Sequence, residues 1–188
     1  MIGILLAPIL SLIPYAVYVS DIFTIAGVIM VSLGRHVFGY RHSRFVYRAV
    51  NIYAFAFVAA IFNGALFILS LPGSSLVSDL EAFEVFFAGS IISGAVAGIA
   101  ILFLTYALQN QVGRILLWAG YSSSVALGAL TYYVVESVVA SRGLSGLTNI
   151  QDQTHLLALL GLVPALMSAL PLYKVRARIL SGELTKNL

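Results

Sequence analysis

The chain has 188 residues, of which 61% are hydrophobic and only 9% charged, with a net charge of +3 and no cysteine. A soluble domain of this size could not hide so much apolar surface, because water-facing helix sides and loops need polar cover. The missing thiols exclude disulfides, Fe–S clusters and covalently attached haem.

A helix needs about 20 apolar residues to cross roughly 30 Å of hydrocarbon. Residues 1–188 therefore hold five or six spans and no separate soluble domain. The expected fold class is all-α: one polytopic transmembrane helix bundle forming a single integral membrane domain, multi-pass in the cell membrane. The small, clustered positive charge reads as a topology signal, and no nucleic-acid partner is expected. Met1 to Pro8 lacks the basic start of a signal peptide and is expected to be retained.

No basic residue precedes Arg35, and the only acid before it is Asp21. The first span is expected at about 14–39. A second solution, with six spans in all, turns residues 1–39 into a hairpin at Ser20-Asp21. Asp21 is the first candidate for an ion or proton path, since an ionisable group inside a span is a functional hypothesis by default; its bland alternative is a wet, capped helix start.

Next comes a stretch that interleaves cations with rings, Arg35 to Arg48, expected as a loop at the cytoplasmic boundary. Arg35, His36, Arg41, His42, Arg44 and Arg48 are candidates for docking lipid headgroups or a partner. A span follows at about 47–71, closed by Leu71-Pro72-Gly73. It carries Asn63, the deepest polar residue and a second path candidate.

The third span is expected at about 82–108. Ser90, Gly94 and Gly98 recur along it at intervals of four, a face nearly free of side chains that another backbone can approach. The fourth span, about 112–140, offers Gly113, Gly120 and Gly128 as the matching face, and Ser122, Ser123 and Ser124 as a polar notch. The last span, about 156–173, contains Pro164 and Pro171 and stops at Lys174. Glu84, Glu136 and His155, near the ends of these spans opposite the basic stretch, complete the path candidates. One histidine and scattered acids do not make a metal motif, and no metal site is expected.

Arg35, Arg41, Arg44, Arg48, Arg114, Lys174, Arg176, Arg178 and Lys186 fall on one side in this scheme, opposite Arg142, Asp79, Glu81, Glu84, Glu136 and Asp152. Positive charge is retained inside during insertion. The C-terminus is thus expected in the cytoplasm and, with five spans, the N-terminus outside. Tyr40, Tyr47, Tyr106, Trp118 and Tyr173 mark the inner boundary, and Phe83, Phe86, Tyr132 and Tyr133 the outer.

No nucleophile elbow, zinc-protease motif or pair of catalytic aspartates is present, so the chain is not expected to be catalytic by itself. His36 and His42 share one short stretch and His155 lies across the membrane, so no bis-histidine haem site is expected within this chain. The expected partners are membrane lipids and either other membrane subunits or further copies of the chain. The expected function is a non-catalytic subunit of a larger respiratory or ion-translocating membrane complex. The alternative is a small homo-oligomeric transporter or channel for an ion or small solute.

Overall fold

In a computed structural model, which describes residues 17–70, 76–143 and 159–183, the chain is all-α. Helices take up 93% of those residues, leaving only short turns between them. There are five: α1 (Val17–Leu33), α2 (Gly39–Ser70), α3 (Leu76–Tyr106), α4 (Gln111–Arg142) and α5 (Leu162–Leu180), with a 3₁₀ turn at Arg35–Phe38 between the first two. Three stretches are long and apolar enough to cross a membrane: Arg35–Ser70, Leu80–Tyr106 and Gln111–Arg142. The apolar part of α1 is shorter, and the second half of α5 carries Lys174, Arg176 and Arg178.

At the start of the chain one alternative falls away and one expectation changes. The backbone of α1 runs through Ser20 and Asp21 as helix, so the hairpin turn is not formed there. The Arg35–Arg48 stretch is not a loop: the 3₁₀ turn holds Arg35 and His36, and everything from Gly39 onward belongs to α2. The physical reason is Gly39, with φ 83° and ψ 170°, a backbone conformation essentially restricted to glycine. It takes the whole change of direction at one residue. Arginine is among the better helix formers, so nothing delays the helix beyond that point.

The other boundaries follow local chemistry. Asn110 caps α4, its side-chain oxygen accepting from the Gly113 N–H at 2.8 Å. Gly143, with φ 64°, closes the helix by donating its N–H to the Val139 carbonyl at 2.8 Å. At the end of the chain α5 does not stop at Tyr173. It continues as helix through its cationic residues to Leu180, because charge ends a span without ending a helix.

α2 and α3 form an antiparallel hairpin with the most extensive contact in the molecule, α4 and α5 form the second pair, and α3 meets α4 more lightly. The α2–α3 seam has a seven-residue rhythm. On α2 it runs His42, Ala49, Ala56 and Asn63, the first three nearly inaccessible. On α3 it runs Phe86, Ser93 and Ala100, with Ser90, Ala97 and Leu104 alongside. A strict heptad repeat keeps the same face of two helices together along their length. Val46 and Ala49, both at 0% exposure, pack with Leu104 and with Val28 of α1.

Candidate functional site: the basic end of the bundle

The helix pairs gather cations at one end. Phe45, in the second turn of α2, sets its ring against Phe103 and Tyr106 near the end of α3, with centroids 5.9 and 5.7 Å away. Tyr106 is a node: the guanidinium of Arg114 from α4 lies 5.0 Å from its ring centroid, and the Arg114 Nε donates to the Tyr106 carbonyl at 3.4 Å. Arg178 from α5 donates Nη1 to the Leu108 carbonyl at 3.3 Å and pairs through Nε with Glu183 at 3.3 Å. The last carbonyls of a helix have no intrahelical partner and carry partial negative charge. Two arginines from two other helices meet that need around the end of α3 and tie α3, α4 and α5 together.

Arg41, Arg44 and Arg48 do something else. At 100° per residue they lie within about 60° of one another on α2, and all three are exposed. His42, Val46 and Ala49 turn the other way, into the seam. His42, expected with the headgroup-docking residues, is 3% exposed, its ring edge-on to Phe38 at 5.5 Å. Its Nδ1, Thr105 Oγ1 and Gln109 Nε2 are the buried side-chain polar atoms without a partner among the described residues. All three come from the same end of the α2–α3 hairpin. Sequence reasoning singled out neither Thr105 nor Gln109 as candidates. Thr105 lies in the last turn of α3 and Gln109 just beyond its end, and two polar residues at the close of an apolar helix are the sequence signal for them.

The opposite end is aromatic and acidic. Phe67 of α2 stacks on Phe86 of α3 at 4.6 Å, and Phe87 stacks on Phe83 at 5.8 Å and on Tyr132 of α4 at 6.0 Å. Val135 and Val139 pack against Leu80, Phe83 and Phe87. Glu81 and Glu136 are exposed and Glu84 is half-buried. Among the described residues no three of His, Asp and Glu gather as ligands for a metal ion. Asp152 and His155 lie outside the described residues, as do the side chains of Asp21 and Asp79 and the whole of Lys186.

Between the two ends four polar side chains are tied to helices, while Ser124 is exposed and lines the groove between α3 and α4. Asn63 reaches from α2 to α3, its Nδ2 donating to the Phe86 carbonyl at 2.8 Å and the Ser90 Oγ at 3.3 Å. Gly89 makes room for it; a Cβ there would come within 2.6 Å of Asn63 Oδ1. Ser90, Ser93 and Thr131 each donate to a carbonyl one turn back on their own helix.

The two small-residue faces oppose each other only in part, across a groove rather than in close contact. Gly120 faces α5, where a Cβ would lie 2.5 Å from Ser168 Oγ and 3.0 Å from the Pro164 carbonyl. Gly98 instead lies under the Tyr121 ring and Gly128 near Ile91, while Gly94 has nothing within 4 Å. A groove of about 220 Å³ between α3 and α4 runs past Gly94, Gly98, Ser124 and Gly128.

Comparison with protein-family models, with characterised proteins and with solved structures returns no match for this chain.

Proposed function

We propose that this chain is an integral membrane bundle of five spans that serves as a non-catalytic subunit of a larger membrane assembly, its basic end and C-terminus in the cytoplasm and its N-terminus outside. The observation that carries the reading is the fate of the polar residues at mid-depth. Asn63, Ser90, Ser93 and Thr131 bond to backbone carbonyls, Asn63 with a further bond to Ser90, and join or stiffen helices. A solute path needs such groups turned toward a continuous opening, and of the polar residues named for that path the transporter alternative keeps the Ser122 to Ser124 notch, with Ser124 on the groove between α3 and α4.

Two further features support it. The three long apolar helices bury only 6–17% of their most apolar windows within this chain, which leaves large apolar faces for lipid or neighbouring subunits. Phe55, Val58, Phe62 and Leu69, all at least 63% exposed, form such a face on α2. The gathering of cations at one end of the bundle supports the orientation, since positively charged ends are retained on the cytoplasmic side.

The test is purification from the source membrane in a mild detergent, with native mass spectrometry of the intact particle. Stoichiometric partner chains are the expected result, and their cofactors would then define the activity. A particle made of this chain alone would overturn the subunit reading and leave the homo-oligomeric transporter or channel for an ion or small solute.

A further inference from the structure

We infer that the arginine stripe of α2 is a binding surface for anionic phospholipid headgroups of the leaflet at the basic end. The inference rests on the membrane reading above and adds a ligand class and named residues to it.

The argument begins with length. The 32 residues of α2 make a helix of about 48 Å at 1.5 Å per residue, some 18 Å more than the roughly 30 Å of hydrocarbon it has to cross. Counted back from Ser70, the hydrocarbon is exhausted near Val50. The first turns of the helix therefore project through the headgroup layer. Arg41, Arg44 and Arg48 stand on one side of that projecting part and rise about 10 Å along it, comparable to the depth of the layer. Had the stretch been a loop, the same charges would need only to remain in water. On a helix they are fixed at graded depths, pointing outward, with Arg48 at the hydrocarbon edge.

The surroundings suit a phosphate-bearing lipid. Tyr40 and Tyr47 are 82% and 62% exposed and line one side of the stripe, and such rings favour the headgroup level. Among the described residues no hydrogen bond or ion pair engages Arg41, Arg44 or Arg48, in contrast to Arg114 and Arg178, which hold α3. A guanidinium binds phosphate oxygens through two parallel N–H bonds. Three of them in one stripe complement a negatively charged leaflet.

The experiment reconstitutes the full chain in phosphatidylcholine vesicles and compares spin-labelled phosphatidylglycerol with spin-labelled phosphatidylcholine at the protein surface. The expected preference for the anionic lipid is roughly fivefold or more, the size of one interfacial cation's attraction. It falls to within about twofold in the triple variant Arg41→Gln, Arg44→Gln, Arg48→Gln. It survives in the corresponding triple lysine variant, and largely survives in Lys174→Gln with Arg176→Gln. If the glutamine triple variant does not fold, wild type decides: the preference must shrink as salt is raised to about 1 M, where screening acts over roughly 3 Å. Equal affinity for the two lipids, a preference untouched by the glutamine variant, or one indifferent to salt overturns the inference. Failure of the chain to enter bilayers at all would instead sink the membrane reading beneath it.

Discussion

α2–α3 and α4–α5 are both antiparallel helix pairs, yet they are held by different means. The first is a long seam of alanines and serine repeating every seven residues, locked at one end by the Asn63 bonds and at the other by the Phe45, Phe103 and Tyr106 rings. The second pair comes closest at one crossing, where Gly120 lets the backbone of α5 approach at Ser168 and Pro164, with Leu117 of α4 and Ala165, Ala169 and Val175 of α5 buried on either side. In lipid, where apolar helices gain nothing from leaving water, a pair can be held by many modest contacts or by one very close one. The first arrangement spreads its tolerance along the seam. The second is most sensitive where the two backbones come closest, at Gly120.

That contrast can be broken at the crossing. Gly120→Leu forces a side chain against the Pro164 carbonyl and the Ser168 backbone, where little can yield. It should cost about 3 kcal/mol, at the upper end of overpacking, read as a lowered midpoint of unfolding in detergent. Stability equal to wild type would mean that α5 does not sit on α4 at this point.

The seam should lose less from a comparable insertion, because a long interface can shift slightly along its length. Ala49→Leu, at a position with 0% exposure, is expected to cost about 2 kcal/mol by the same measurement. A cost above that of Gly120→Leu would reverse the comparison.

Removing the polar lock sharpens it further. Asn63→Leu gives up two bonds to α3, and interhelical hydrogen bonds in membranes average about 0.6 kcal/mol with a ceiling near 1.7. A loss of about 1 kcal/mol is expected. Gly89→Ala, which would press on the same amide, should add little to it in the double variant. Full additivity would show that the two residues do not share one interaction.

The smallest effect belongs to Gly94→Ala. Nothing lies within 4 Å of the added methyl, so stability should stay within about 0.5 kcal/mol of wild type. A large loss would place an unseen helix or neighbouring subunit over the α3–α4 groove, and it would show as a change in particle mass.

Much of this architecture was legible in the residues. The apolar runs and scarce charge pointed to an all-α membrane bundle, and the structure is all-α with three stretches long and apolar enough to cross a membrane. The basic stretch reads equally as a boundary loop or as a helix face, because cations and rings suit both. The spacing of Arg41, Arg44 and Arg48 was helical, and Gly39 was the residue that permitted the turn. Small-residue faces announce a close approach without naming the partner, so Gly120 was assigned to α3 when its neighbour is α5. The seam from His42 to Asn63 was hidden because alanine every seventh residue is inconspicuous in a chain rich in it. At the basic end the cations were visible, but the inward turn of His42 and the burial of Thr105 and Gln109 depend on which helix covers them.

The central claim is a bundle that crosses the membrane with its basic end in the cytoplasm and its acidic, aromatic end outside. A chain without cysteine allows a direct test. Glu81→Cys, next to the aromatic stacks, and Ser181→Cys, beyond the basic end of α5, are each expressed alone in intact cells and exposed to a membrane-impermeant thiol reagent. The account predicts that Glu81→Cys is labelled at once and Ser181→Cys only after the membrane is opened. Labelling of Ser181→Cys in intact cells, or of both positions alike, would contradict it.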